Sequence, residues 1–141
     1  MSSENVEIVR RSLERWNDGD LEGFILKVDP EIEWLTSAVY PGVDPVYYGH
    51  EGFRKFWRDF HEMWQTLTME LRDVVAVGDR VAFAFHFDAT GRDGVRAGRD
   101  QASVGTIRNG LLFRIENYAT WDEALEALEV GRRGTGTDAT R

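Results

Sequence analysis

The chain has 141 residues, a formal net charge of −8 and no cysteine. That length suits one domain with one sizeable core, and the acidic balance argues against nucleic acid and anionic membrane as partners. The absence of cysteine excludes disulfides and thiolate metal sites, and no apolar run is long enough to span a bilayer. With no apolar leader at the N-terminus, the expectation is a soluble, cytoplasmic protein.

Val6, Val9, Leu13 and Trp16 are spaced three, four and three apart, which predicts an amphipathic helix. Ser2 or Ser3 can cap it, Glu4 lies near its positive end, and Asn17-Asp18-Gly19 ends it. Asp20 can cap a second short helix over 21–28, stopped by Asp29-Pro30. Residues 32–35 read as a short strand, and 36–48, with Pro41, Gly42 and Pro45, as an ordered loop. Gly49-His50-Glu51 opens a third helix whose side chains are unusual. Phe53, Phe56, Trp57, Phe60 and Trp64 fall at i, i+3, i+4, i+7 and i+11, one stripe of the helical period. Leu, Ile and Ala ordinarily fill such a stripe. Flat rings pack cores, and they also wall cavities for apolar, ring-bearing ligands.

Beyond Leu67 the pattern changes. Residues 68–77 are rich in strand formers and turn at Gly78-Asp79. Within 81–87, Phe83, Phe85 and Phe87 point one way, and Ala82, Ala84 and His86 the other. The stretch 90–98 reads as a loop. Two further strands, 101–107 and 111–118, flank Asn109-Gly110, a strong hairpin signal. Thr120-Trp121-Asp122-Glu123 has capping-box spacing and begins a short closing helix through Ala124, Leu125 and Leu128. The Gly-, Thr- and Arg-rich tail 131–141 is expected to be disordered, leaving one domain over 1–130. Helices followed by an antiparallel sheet make an α+β plan, and three helices covering one face of a curled sheet enclose a cone.

Charge decides the facing of the last strand. Arg114 and Glu116 are costly to bury, so Phe113, Ile115 and Asn117 are expected to face the helices. A two-residue type I′ turn would send Val104 and Thr106 inward with them. A three-residue loop with a bulge would instead send Ser103, Gly105 and Ile107 inward, with Gln101 at the far end. Asn117, Ser103 and Gln101 would then form a polar cluster among aromatic walls, either satisfying one another or orienting a ligand's oxygens.

Several segments carry a family resemblance: Asn5-Val6-Glu7 through Arg15-Trp16-Asn17-Asp18-Gly19-Asp20-Leu21, Asp29-Pro30-Glu31-Ile32-Glu33-Trp34, Tyr48-Gly49-His50-Glu51-Gly52-Phe53, Gly78-Asp79-Arg80-Val81, and Thr106-Ile107-Arg108-Asn109-Gly110 to Tyr118. In this order and spacing they resemble SnoaL-like proteins of the nuclear-transport-factor-2-like superfamily. The resemblance implies a conical α+β barrel (a cystatin-like fold) with three helices against a strongly curved sheet. It also implies the bulged turn and a homodimer through the outer sheet face. The superfamily includes ketosteroid isomerases, polyketide cyclases, epoxide hydrolases and non-catalytic binders, so fold does not assign function. By this resemblance, the ketosteroid isomerase donor falls at Ser12, its base at or near Trp34 and its second acid near Ser103, and none of the three residue types is retained, which argues against that chemistry.

The remaining candidates are few. His86 would be a general base if its face were concave, and would look outward otherwise. No histidine or carboxylate spacing suggests a metal, no Gly-rich loop precedes a helix, and no serine nucleophile motif is present, so no cofactor is expected. The preferred reading is a cavity that binds a small apolar, cyclic molecule. Trp16, Trp34, Phe53, Phe56, Trp57, Phe60, Phe83, Phe85 and Phe113 would be its walls and Gln101, Ser103 and Asn117 its polar anchors. The alternatives are a cofactor-free cyclase, isomerase or hydrolase using His86 or an acid from 36–48, and a structural dimeric module with a filled core.

Overall fold

The helix expected around Val9 and Trp16 runs Ser2–Asn17 (α1) in the computed structural model, which describes residues 2–36 and 43–135. After it come α2 (Leu21–Ile25), β1 (Val28–Leu35), β2 (Val46–Tyr48), α3 (Gly49–Glu62), β3 (Trp64–Val77), β4 (Arg80–Gly91), β5 (Arg96–Arg108), β6 (Leu111–Tyr118) and α4 (Trp121–Thr135). Asp20 caps α2 as expected, its carboxylate accepting from Gly23 N at 2.9 Å.

Several boundaries move, each for a local reason. The second helix stops at Ile25, and Asp29-Pro30 lies inside β1 rather than ending a helix. Proline is tolerated there because the β1–β6 ladder is interrupted between Val28 and Glu33, so no paired N–H is lost. Trp64 opens β3 instead of closing the aromatic helix, although its ring still meets Phe60 edge-on at 6.5 Å. The glycine-rich loop at 90–98 contracts to a turn, with Gly94 at φ 89 between long strands. Helix α4 continues through Thr135, past the expected domain end at 130, and the tail 136–141 lies outside the described residues.

The six strands form one curved sheet in the order β2-β1-β6-β5-β4-β3. Every neighbouring pair is antiparallel except β1 and β6, which run parallel, a departure from the fully antiparallel sheet expected. Helices α1, α2 and α3 bury their apolar faces against the concave side, where Val9, Trp16, Phe24, Phe53, Phe56 and Phe60 join Phe83, Phe85 and Phe87 in the main core. Helix α4 lies on the opposite side. Its Ala124 and Leu128 pack on Ala82, Ala102 and Val104, small side chains that let a helix approach the strands closely. Thr120 caps the helix, its Oγ1 accepting from Glu123 N (3.1 Å), while the Glu123 carboxylate accepts from Ala119 N (3.2 Å), one residue before the cap, in a variant of the expected capping box. Arg80 ties the helix down by donating to Ala127 O while pairing with Glu116, each at 3.2 Å.

The β5–β6 hairpin resolves the question of facing by a route the turn alone did not suggest. Asn109 (φ 54) and Gly110 (φ 78) form a two-residue turn with both residues in the left-handed region, the type I′ pattern, and Arg108 faces Leu111. The irregularity lies further on: Ile107 faces Leu112, Thr106 faces Arg114, and Phe113 is left without a partner. This bulge lets Leu112 and Ile115 both point inward while Arg114 and Glu116 stay out. Ser103, Gly105 and Ile107 therefore face the helices, opposite Asn117, Ile115 and Leu112. Phe113 does not join them, in contrast to the expectation; its ring lies 3.7 Å beneath the Arg108 guanidinium.

At the free edge of the sheet, the Asn17 side chain bonds β3 like a short strand. Its Nδ2 donates to Met69 O (2.9 Å) and its Oδ1 accepts from Met69 N (2.8 Å). These bonds satisfy an edge position and clamp the end of α1 to the sheet. Asn17→Ala is expected to cost about 1–3 kcal/mol for two lost hydrogen bonds. Urea denaturation measures this, and a loss below about 0.5 kcal/mol would show that the clamp is incidental.

Candidate functional site

Between the three helices and the concave face lies an apolar cavity of about 50 Å³. Its walls include seven of the side chains expected from sequence: Trp16, Trp34, Phe56, Phe83, Phe85, Ser103 and Asn117. The other expected residues fall elsewhere. Phe53, Trp57 and Phe60 are buried among neighbouring rings and do not border the void; Phe53 stacks on Phe24 at 5.0 Å, and Phe60 on Phe56 at 5.5 Å. Gln101 is buried opposite Phe85, two residues from Ser103, also off the wall. Phe113 is outside, for the register reason given above.

The sequence reading missed two wall residues that matter here. Ser12 lies three residues after Val9 and four before Trp16, so helical geometry puts it on the buried face of α1. Asn5, Val9, Ser12 and Trp16 are the buried positions of that helix, while Val6 and Leu13 are only half-buried. Phe24 of α2 also borders the cavity.

The polar groups of the wall divide into two kinds. Ser103 Oγ donates to Asn117 Oδ1 (2.7 Å), and Asn117 Nδ2 donates to Leu35 O (3.0 Å). This pair is satisfied from within the protein. In contrast, Ser12 Oγ, Trp16 Nε1 and Trp34 Nε1 are buried and have no hydrogen-bond partner among the described residues. Each belongs to a residue at most 7% exposed. A buried, unpaired donor costs about 1–3 kcal/mol, so three around one small void are an unusual concentration.

None of the described wall residues titrates near neutrality. His86 takes the outward alternative: it alternates with the wall residues of β4 and bonds Asp100 Oδ1 through Nδ1 at 2.8 Å on the outer face. Asp44, within the loop proposed to carry in an acid, pairs with Lys55 instead. Tyr40 and the rest of 37–42 lie outside the described residues. His50 bonds Val28 O at 2.7 Å. His61 stacks on Trp57 (4.6 Å between centroids) with Nδ1 on Trp57 O at 2.8 Å, and burial pushes its imidazole below the ordinary 6.5. Among the described residues no group of three or more His, Cys, Asp or Glu could hold a metal ion, and no helix is long and apolar enough to cross a membrane.

This architecture, an aromatic hollow between three helices and a curved sheet, is matched by one family across most of the chain. The SnoaL-like domain profile aligns with residues 9–115. The chain belongs to the SnoaL-like domain family. Solved structures of the same fold include TerC, co-crystallised with polyporic acid, at 24% identity and a TM-score of 0.74 over 89% of this chain and 98% of that one. Bal32a, from a soil-derived mobile gene cassette, is 26% identical with a TM-score of 0.74 over 86% and 96%. A protein of Jannaschia sp. CCS1, provisionally named a SnoaL-like polyketide cyclase, is 16% identical with a TM-score of 0.74 over 92% and 91%. No functionally curated protein matches the sequence significantly.

Two measurements probe this site in the SnoaL-like domain without a ligand. Ser12→Ala removes an unpaired buried hydroxyl and is expected to stabilise the protein by ~1 kcal/mol, a rise in Tm of ~2–4 °C. A fall in Tm would mean that the hydroxyl already has a partner. For His61 the folded imidazole binds its proton less readily than the unfolded one. Stability conferred by the neutral ring is therefore complete above 6.5 and declines as pH falls from there toward the lower folded value. His61→Gln is expected to flatten that limb of a stability–pH profile; an unchanged slope would exclude His61 as its source.

Proposed function

We propose that this SnoaL-like domain is a small-molecule binding domain whose interior takes a small apolar, cyclic guest without a cofactor. One observation carries the reading: Ser12, Trp16 and Trp34, three residues of the void's wall, hold buried polar groups with no partner among the described residues. A guest with acceptor atoms would supply what is missing.

The void constrains the manner of binding. At about 50 Å³ it holds a few waters, whereas ligand pockets typically measure ~300–1,000 Å³. Binding a ring therefore requires wall side chains to move. Met69 and Leu13 lie in the wall, and Met69 can repack with little strain. The TerC complex with polyporic acid supports the idea that this fold accommodates cyclic molecules.

A cofactor-free cyclase, isomerase or hydrolase is the second reading, favoured by the provisional name of the Jannaschia relative. It needs an acid–base group at the void, and the described wall supplies none, so binding is preferred. The homodimer suggested by resemblance would have to use the part of the outer sheet face that α4 leaves open, around His86 and Asp100.

Native mass spectrometry of freshly purified protein, with a thermal-shift panel of polycyclic and terpenoid compounds, tests the proposal. The expected result is a co-purifying mass, or a Tm rise of at least about 2 °C with some members of the panel. Gly105→Leu should abolish either signal, because a Cβ there already sits 3.3 Å from Ile115 and 3.8 Å from Phe83, both cavity residues. A bare mass and a flat panel would leave the filled structural module as the better description.

A further inference from the structure

Ser12 borders a second depression besides the cavity. On the outer side of α1, Glu7, Ile8, Arg11, Arg15 and Lys27 edge a surface cleft of about 210 Å³, and Ser12 belongs to the wall of that cleft as well as to the wall of the cavity. The residue is 6% exposed, and its buried hydroxyl has no partner among the described residues. It therefore lines both the apolar interior and a polar surface depression.

The cleft has a charge opposite to that of the protein. Three cations, Arg11, Arg15 and Lys27, face one carboxylate, Glu7, in a chain whose net charge is −8. Glu7 is engaged by Arg11 at 2.9 Å and lies 3.9 Å from Arg10. Arg15 reaches Asp20 only at 3.5 Å. Lys27 is exposed and has no ion-pair partner among the described residues. Such a patch concentrates anions locally against the repulsion of the whole molecule.

Resting on the binding reading above, we infer that the guest is an organic acid: an apolar ring carrying one anionic group, with the ring in the cavity and the anion in the Arg11–Arg15–Lys27 cleft. The Ser12 hydroxyl donates to the part of the molecule that passes between them. The cations confer selectivity for the ionised group, and the rings supply the apolar contact.

Two fluorescent probes with one ring system test this: 1-anilinonaphthalene-8-sulfonate, which is anionic, and N-phenyl-1-naphthylamine, which is neutral. The sulfonate is expected to bind more tightly than the neutral probe, and to weaken as salt is raised. Lys27→Glu should reduce sulfonate affinity by about threefold or more while changing the neutral probe by less than about twofold. Gly105→Leu and, independently, Leu13→Trp should abolish both, with circular dichroism confirming that each variant is folded. Equal affinity for the two probes, or a sulfonate affinity indifferent to Lys27→Glu, overturns the inference and leaves the cavity reading standing. Sulfonate binding that survives both cavity-filling variants marks adsorption at the surface and also overturns it. If neither probe binds the folded protein, the cavity reading itself fails, and this inference falls with it.

Discussion

The structure turns on Trp16. Its indole is the meeting point of all three helices of the concave layer, with ring centroids of Phe24, Phe56, Trp57, Phe60 and His61 between 4.8 and 6.1 Å away. The interplanar angles run from 35° to 64°, the tilted and edge-on geometries that ring quadrupoles favour. Rigid rings packed at such angles leave gaps that aliphatic side chains would flow into. The residual void beside Trp16, and the lack of a partner for its Nε1 among the described residues, follow from the same rigidity.

A second constraint acts through the sheet. The sequence Leu112-Phe113-Arg114-Ile115 cannot put both aliphatics inward and the arginine outward in a regular strand. The bulge at Phe113 resolves the conflict and so decides which side chains of β5 reach the interior. Gly105 and Ser103 face the helices for that reason. The outward set, Ala82, Ala102 and Val104, is small and apolar, and α4 covers it. The sheet is therefore buried on both sides over part of its area, and charged or polar elsewhere.

These two constraints together shape the functional reading. The polar pair Ser103 and Asn117 is internally satisfied and joins β5, β6 and β1. Among the described residues, the cavity wall's unpartnered polar groups lie instead on α1 and β1, at Ser12, Trp16 and Trp34. Among the described residues, the wall supplies hydrogen donors and no general base, which is the arrangement the binding proposal rests on.

Much of this was readable in the residues. The period of α1, the aromatic stripe of α3, the Asn109-Gly110 turn, the capping box of α4 and the outward preference of Arg114 all follow from local geometry and the cost of burying charge. The family resemblance added the order of the layers. The sequence by itself determined which segments are apolar on one side and where the chain must turn, because those are properties of neighbouring residues. Tertiary structure alone decided the rest: Phe113 lost its inward place to a bulge, Trp64 became a strand residue, Ser12 became a cavity wall, and α4 took the outer face. Each of these depends on where a distant strand or helix finds room, and hydrogen-bond registers and packing gaps between segments far apart in the chain are not encoded in any local spacing.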